Sequence, residues 1–198
     1  MNKTLSPVSL AAIAAFASTT MLAAAPASAE ETTYMIESSH TYPSFRAPHL
    51  GISWWTGKFN KTTGSIKMDQ AAGKGTVNIV IDAASVDFGH EKMNQHALKE
   101  DFFNVAAHPE ITYTGNLVFD GDTPSGVEGE LTMIGKTLPV NLTINSFKCI
   151  VHPMLKREVC GADVEGEFNR RDFGMTYASR DAAGGVAKLT IQVEALKQ

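Results

Sequence analysis

The sequence predicts an all-β fold: an eight-stranded antiparallel barrel with a short helix and loop inserted at one mouth. Three observations predict it. Apolar and polar residues alternate with period two along most of the chain. Turn signals separate the alternating runs. One long stretch, residues 82–110, breaks the pattern and carries the only helical periodicity.

The strands follow in order. Short alternating runs cover 34–36, 42–47, 57–59 and 65–69. Val77, Ile79 and Ile81 then share one face, opposite Thr76, Asn78 and Val80. A run over 111–119 leads to Val127, Leu131 and Met133, with Gly129 between them and Glu128, Glu130 and Thr132 opposite. Val140, Leu142 and Ile144 continue the pattern, as do Val164, Gly166 and Phe168, and finally Leu189, Ile191 and Val193. One-sided strands of this kind belong to antiparallel sheets with one wet face. Segments 60–64, 71–75 and 120–126 and the pair Gly135-Lys136 have hairpin-turn chemistry, and 182–185 leads into the last strand. Closure removes unpaired edges, which favours a barrel. A two-sheet sandwich shares the same alternation. Within the break, 91–100 reads as a helix with Met93, His96 and Ala97 along one side, and Phe102-Phe103 follows. So long and apolar a connection reads as a helix and loop packed at one barrel mouth.

The first residues are unlike the rest. Thr4 to Ala29 carries no charge, Lys3 supplies a positive start, and Ala27-Ser28-Ala29 fits a cleavage site. This is the pattern of a cleaved secretory signal peptide over residues 1–29, leaving one domain over 30–198. An Ala/Ser/Thr-rich segment holding Pro26 fits an uncleaved anchor less well. Loss of Lys3 takes the formal net charge from −4 to −5. An acidic balance with no Lys/Arg block excludes general nucleic-acid binding by phosphate neutralisation. Export sets the reading of Cys149 and Cys160: in an oxidising compartment they most simply pair with each other. Closing that short loop is worth about 3 kcal/mol in the chain-entropy account.

Catalytic signatures are sparse. The chain has no G-x-S-x-G elbow, no H-E-x-x-H and no glycine-rich phosphate loop. Its histidines, at 40, 49, 90, 96, 108 and 152, form no H-x-H or H-x-x-x-H pair. Glu128/Glu130 and Glu165/Glu167 read as a solvated strand face rather than an acid–base pair. No enzyme activity, cofactor or metal is expected. What stands out is an apolar and aromatic surplus outside the regular strands: Leu50, Ile52, Trp54, Trp55, Met93, Leu98, Phe102, Phe103, Phe173 and Met175. One such residue is ordinary core, but the set over-supplies a filled barrel and points to an apolar ligand cavity. An outer-membrane barrel would need aromatic girdles at its strand ends, and the segment 186–196 has no aromatic residue.

Several segments also resemble a known family. His40-Thr41-Tyr42-Pro43-Ser44-Phe45, followed by His49-Leu50-Gly51, is similar to the N-terminal signature of the YceI-like family. Gly57-Lys58-Phe59, Ser85-Val86-Asp87, and His96 with Asp101-Phe102-Phe103-Asn104-Val105 continue it in order. Pro109, the run from Gly129 to Thr137, and Arg171-Asp172-Phe173-Gly174-Met175 complete it. Ala97 and Asn104 depart from the family's usual Leu and Asp. The resemblance implies a secreted, lipocalin-like barrel without catalytic activity. It also implies binding of a polyisoprenoid or other long-chain amphiphile in an elongated apolar tunnel.

Together these readings give an expected ligand-binding set of Phe45, His49, Leu50, Trp54, Trp55, Met93, His96, Phe102, Phe103 and Phe173. His49, His96, Asn94 and Arg46 are the candidates for a polar head group at the mouth. The expected function is periplasmic transport or sequestration of an isoprenoid, such as a quinone or polyprenyl phosphate. The alternative is a stress-response or interaction module with a filled barrel. The expected partner is the lipid, without nucleic acid and without stable membrane insertion, and a homodimer stays open.

Overall fold

A computed structural model describes Met1 and residues 31–179 and 183–198 of the protein. The expected signal peptide, Met1 aside, lies outside the described residues. Twelve strands form one sheet: β1 (Thr32–Ile36), β2 (Tyr42–His49), β3 (Ser53–Phe59), β4 (Thr62–Asp69), β5 (Lys74–Asp82) and β6 (Val86–Asp87) precede the insertion helix α1 (Glu91–Ala97). Then come β7 (Glu110–Asp120), β8 (Thr123–Met133), β9 (Lys136–Pro139), β10 (Leu142–Val151), β11 (Glu158–Asn169) and β12 (Val186–Lys197).

The sheet closes into an 8-strand antiparallel barrel, because β1 pairs with both β4 and β12. Three of the barrel's strands are broken in two. β1 and β2 both run against β12, at 195–197 and 188–192. β3 and β4 return against β2 and β1, and β9 and β10 both run against β8. Each break is repaired by specific bonds, since a buried ladder cannot leave its amides unpaired. At the first, Thr41 Oγ1 accepts from Glu194 N at 3.0 Å and donates to Glu194 O at 3.1 Å. At the second, Asn60 N donates to Ser85 O and Lys61 N to Ser85 Oγ. At the third, Val140 N donates to Gly129 O at 2.8 Å.

The alternating residues are those that face inward. Val77, Ile81, Val127, Leu131, Met133 and Val164 are all buried. Gly129, in the middle of β8, has a packing role. A Cβ there would fall on Tyr113 Oη, whose hydroxyl crosses that space to donate to Val140 O at 2.9 Å. The β8–β9 turn has Ile134 at φ 52 and Gly135 at φ 73, the two left-handed residues of a tight hairpin.

The insertion sits where expected, at the mouth formed by the ends of β3, β5 and β11. Its helix is shorter than the sequence suggests, ending at Ala97 rather than residue 100. Beyond Leu98 the chain folds back, with Phe103 N bonded to Ala97 O and Asn104 N to Lys99 O. That reversal turns Phe103 into the barrel and places Asn104 at φ 45, a conformation that Asn tolerates better than most residues. Phe103 then packs edge-on to Phe59 (5.4 Å) and Phe45 (6.2 Å), and Phe45 meets Phe88 at 5.6 Å. This aromatic plug seals one end. The other end carries Tyr34, Met68 and the Cys149–Cys160 disulfide, whose cysteines lie directly opposite in the β10–β11 register.

Candidate functional site

The barrel interior is not filled. A cavity of about 200 Å³ runs from the plug residues Phe45, Phe59 and Phe103, with Met175 beside them, to Tyr34, Met68 and Phe147 at the far end. Its wall is the inward face of the regular strands, with Ile66, Ile79, Leu117, Leu142, Leu189 and Ile191 among the residues exposed to it. Period-two alternation builds this surface, because every second side chain of each strand enters the lumen.

The polar groups of the wall are turned away from the cavity, with one exception. Tyr34 Oη donates to Glu158 Oε1 at 2.7 Å, and Tyr113 Oη is bound to Val140 O. Ser44 Oγ donates to Tyr42 O at 3.2 Å, and Thr41 is held by Glu194. Burial, followed by the hydrogen bond and charge of Glu158, pushes the Tyr34 phenol up to about 12. Burial alone raises the Tyr113 phenol well above its ordinary value. Arg170 is the charged residue of the lining, 7% exposed, and burial with Arg171 beside it lowers its pKa. Its guanidinium donates to Met175 O at 3.0 Å and Tyr177 O at 2.8 Å, which pins the segment after β11 across the mouth. The exception is Thr62. It is 1% exposed and faces the lumen, and among the described residues its Oγ1 has no hydrogen-bond partner.

Of the ten residues expected to bind ligand, Phe45 and Phe103 line the cavity. The other eight surround the plugged mouth without lining it. Trp55 bridges His49 (4.6 Å) and Phe88 (6.3 Å) behind the plug. His96, Phe102 and Tyr177 form a separate aromatic triangle, at 4.9–5.4 Å, that joins the insertion to the segment after β11. Phe173 is fully buried against Phe168 at 5.4 Å, and Met93 lies half-buried on α1. Leu50 and Trp54 lie on the exposed β2–β3 hairpin, where Arg46 and Lys188 stack on the Trp54 ring at 5.2 and 5.5 Å. Asn94, a head-group candidate, instead accepts from Phe88 N at 2.8 Å and donates to Asp87, holding the insertion together. The cavity residues that sequence reasoning passed over are the aliphatic ones of the strands. Their signal was the alternation itself, which reads equally as packed core.

Among the described residues, no cluster of three or more His, Cys, Asp or Glu is placed to hold a metal, and no helix is long and apolar enough to cross a membrane. The geometry suits the enclosure of a slender apolar chain.

Comparison with known proteins bears on this architecture. The family model for the YceI-like domain matches residues 34–195. The UPF0312 protein ECA1782 of Pectobacterium atrosepticum is 33% identical over 201 residues, covering 100% of this chain and 99% of that protein. Protein YceI of Escherichia coli O157:H7 is 32% identical, covering 82% and 84%. Among solved structures, Burkholderia cenocepacia BcnA superposes with a TM-score of 0.63 at 18% identity, over 81% of this chain and 99% of its own. A polyisoprenoid binding domain from Saccharophagus degradans does so with a TM-score of 0.59 at 14% identity, over 83% and 98%. With the barrel, the mouth insertion and a match over nearly all of the described residues in agreement, this chain belongs to the YceI-like family.

Proposed function

We propose that this protein binds an isoprenoid or other long-chain amphiphilic lipid in the barrel lumen, as a non-enzymatic periplasmic carrier or sequestering protein. The observation that carries this reading is the lumen: an apolar channel whose wall satisfies its own polar groups, Thr62 excepted. An extended lipid tail gains about 0.8 kcal/mol for each CH₂ moved from water into such a channel. Ordering of the tail and loss of its freedom offset much of that gain. The likeness to a solved polyisoprenoid binding domain supports the same class of ligand, and the leader-like pattern of residues 1–29 supports export.

At about 200 Å³ the cavity is smaller than the roughly 300–1,000 Å³ of ordinary small-molecule pockets. Uptake therefore widens it, and Met68, Met133 and Met175, flexible and unbranched, are the wall residues suited to move. Thr62 Oγ1 is an open hydrogen-bonding position for a polar group of the ligand. The narrowness also favours a second reading, an interaction module that acts by protein contact and holds no lipid in its lumen. Organic extraction of the purified mature chain, followed by uptake assays on the stripped protein with ubiquinone and a polyprenyl phosphate, separates the two. A long-chain lipid in the extract, or saturable uptake, supports the carrier. An extract without lipid and no uptake of either probe refutes it and favours the module.

A further inference from the structure

The β10–β11 hairpin has features that the lumen does not explain. β8 holds β10 only through Leu142 and Thr143 on that side of the barrel, and β10 then continues to Val151. β8 itself extends only from Gly126 back to Thr123 beyond this last pairing. At about 3.3 Å per residue the hairpin runs about 15 Å past the β7–β8 turn. One edge of it flanks a seam where β8 and β10 have no further ladder pairing. Val127, Ile144 and Phe147, which line the cavity, lie beside that seam.

The tip exposes apolar side chains from a rigid frame. Ile150, Val151, Met154 and Leu155 are between 48% and 81% exposed. The Cys149–Cys160 disulfide clamps the two strands just above them. His152 organises the turn: its amide donates to Arg157 O at 2.8 Å, its carbonyl accepts from Lys156 N at 2.9 Å, and its Nδ1 accepts from Met154 N and Leu155 N. A floppy loop would fold its apolar groups inward, but this one is held with them outward. The charges are segregated as well. Residues 146–157 contain Lys148, Lys156 and Arg157 and no carboxylate, in a chain of net charge −4, and Arg157 also donates through one guanidinium nitrogen to Lys197 O. The neighbouring Glu158 is engaged by Tyr34 and by Lys197 at 3.4 Å.

We propose that this disulfide-clamped hairpin docks on an anionic lipid bilayer, its four apolar side chains entering the headgroup boundary while Lys148, Lys156 and Arg157 meet lipid phosphates. Apolar tips rimmed by cations are suited to that interface. The β2–β3 hairpin, at the opposite end of the barrel, is the internal contrast. Leu50 and Ile52 are exposed there too, but Arg46 on β2 and Lys188 on the adjoining β12 are stacked on Trp54 beside the plugged mouth. Docking through 150–157 brings the unpaired seam, not the plug, to the membrane.

The test is co-sedimentation of the mature protein with vesicles of phosphatidylethanolamine and phosphatidylglycerol containing no isoprenoid, so the result is independent of what the lumen binds. Wild type sediments at low salt and is released at high salt. Lys156→Ser and Arg157→Ser each weaken partitioning about fivefold. Met154→Glu with Leu155→Glu abolishes it, whereas Leu50→Glu with Ile52→Glu leaves it intact. Retained thermal unfolding shows that each variant is folded, and the two single serine variants carry the test if the double glutamate variant is not. Wild type that fails to sediment overturns the proposal. So does equal loss from both hairpin ends, or a Met154/Leu155 effect on oligomeric state in sedimentation velocity with vesicle binding unchanged.

Discussion

The unpartnered hydroxyl of Thr62 makes a prediction whose sign is unusual. Replacing a buried polar residue normally removes a hydrogen bond and destabilises a protein. Here there is no bond to remove: Oγ1 faces an apolar lumen and has no partner among the described residues. A buried group left unsatisfied costs about 1–3 kcal/mol. Thr62→Val keeps the β-branched shape, which suits the first residue of β4, and deletes that cost. For a chain of this size each kcal/mol moves the melting temperature by about 2–4 °C, so the variant melts about 2–12 °C higher. Differential scanning calorimetry of lipid-stripped wild type and variant measures this. Reloading both with lipid narrows the gap if a polar group of the ligand satisfies Thr62. An unchanged or lowered melting temperature in the stripped variant would show that the hydroxyl is already satisfied, and would refute the reading of Thr62 as an unsatisfied group.

Three further outcomes follow from other parts of the fold. Cys149→Ser with Cys160→Ser opens a loop of sequence separation 11. Loss of about 3 kcal/mol should lower the melting temperature by about 6–12 °C, and a change under about 2 °C contradicts the structural role. Gly129→Ala forces a Cβ onto Tyr113 Oη and Thr114 O and should cost about 1–3 kcal/mol in urea unfolding, a neutral result being the contrary one. Ultraviolet titration should show two of the four tyrosines ionising late, Tyr34 at about 12 and Tyr113 higher still. Because the folded Tyr34 pKa is raised, its contribution to stability is complete below pH 10 and is lost as pH climbs from 10 to about 12. Alkaline unfolding of Tyr34→Phe that matches wild type through that window would contradict this.

The barrel was legible because burial on one face leaves a period-two record. Val77, Ile79 and Ile81, or Leu189, Ile191 and Val193, point one way whatever their neighbours are. The breaks in three strands were not legible, because they depend on distant partners, such as Thr41 on Glu194 and Asn60 on Ser85. The helix was overextended for a similar reason: residues 98–100 keep helical spacing, but the tertiary gain from turning Phe103 inward ends the helix at Ala97. The cavity residues were hardest to pick out. Aromatic residues in irregular segments drew the expectation toward the mouth, where Trp55, Phe102 and Phe173 pack against one another or the insertion. The aliphatic wall carried no mark to distinguish lining from core, since one spacing serves both. The orphan hydroxyl of Thr62 could be found only from coordinates.

The central claim is that a lipid occupies the lumen, and native mass spectrometry of the mature protein beside Val164→Trp tests it most directly. Val164 lies in the middle of β11, opposite Ile191 and Ile144, with its side chain in the cavity. An indole there occupies the channel, with overpacking that costs about 1–3 kcal/mol and leaves the fold intact. The account predicts one long-chain lipid per wild-type barrel and none in the variant, at matched far-ultraviolet circular dichroism. Wild type without lipid after exposure to isoprenoids, or a variant that retains as much as wild type, would contradict it.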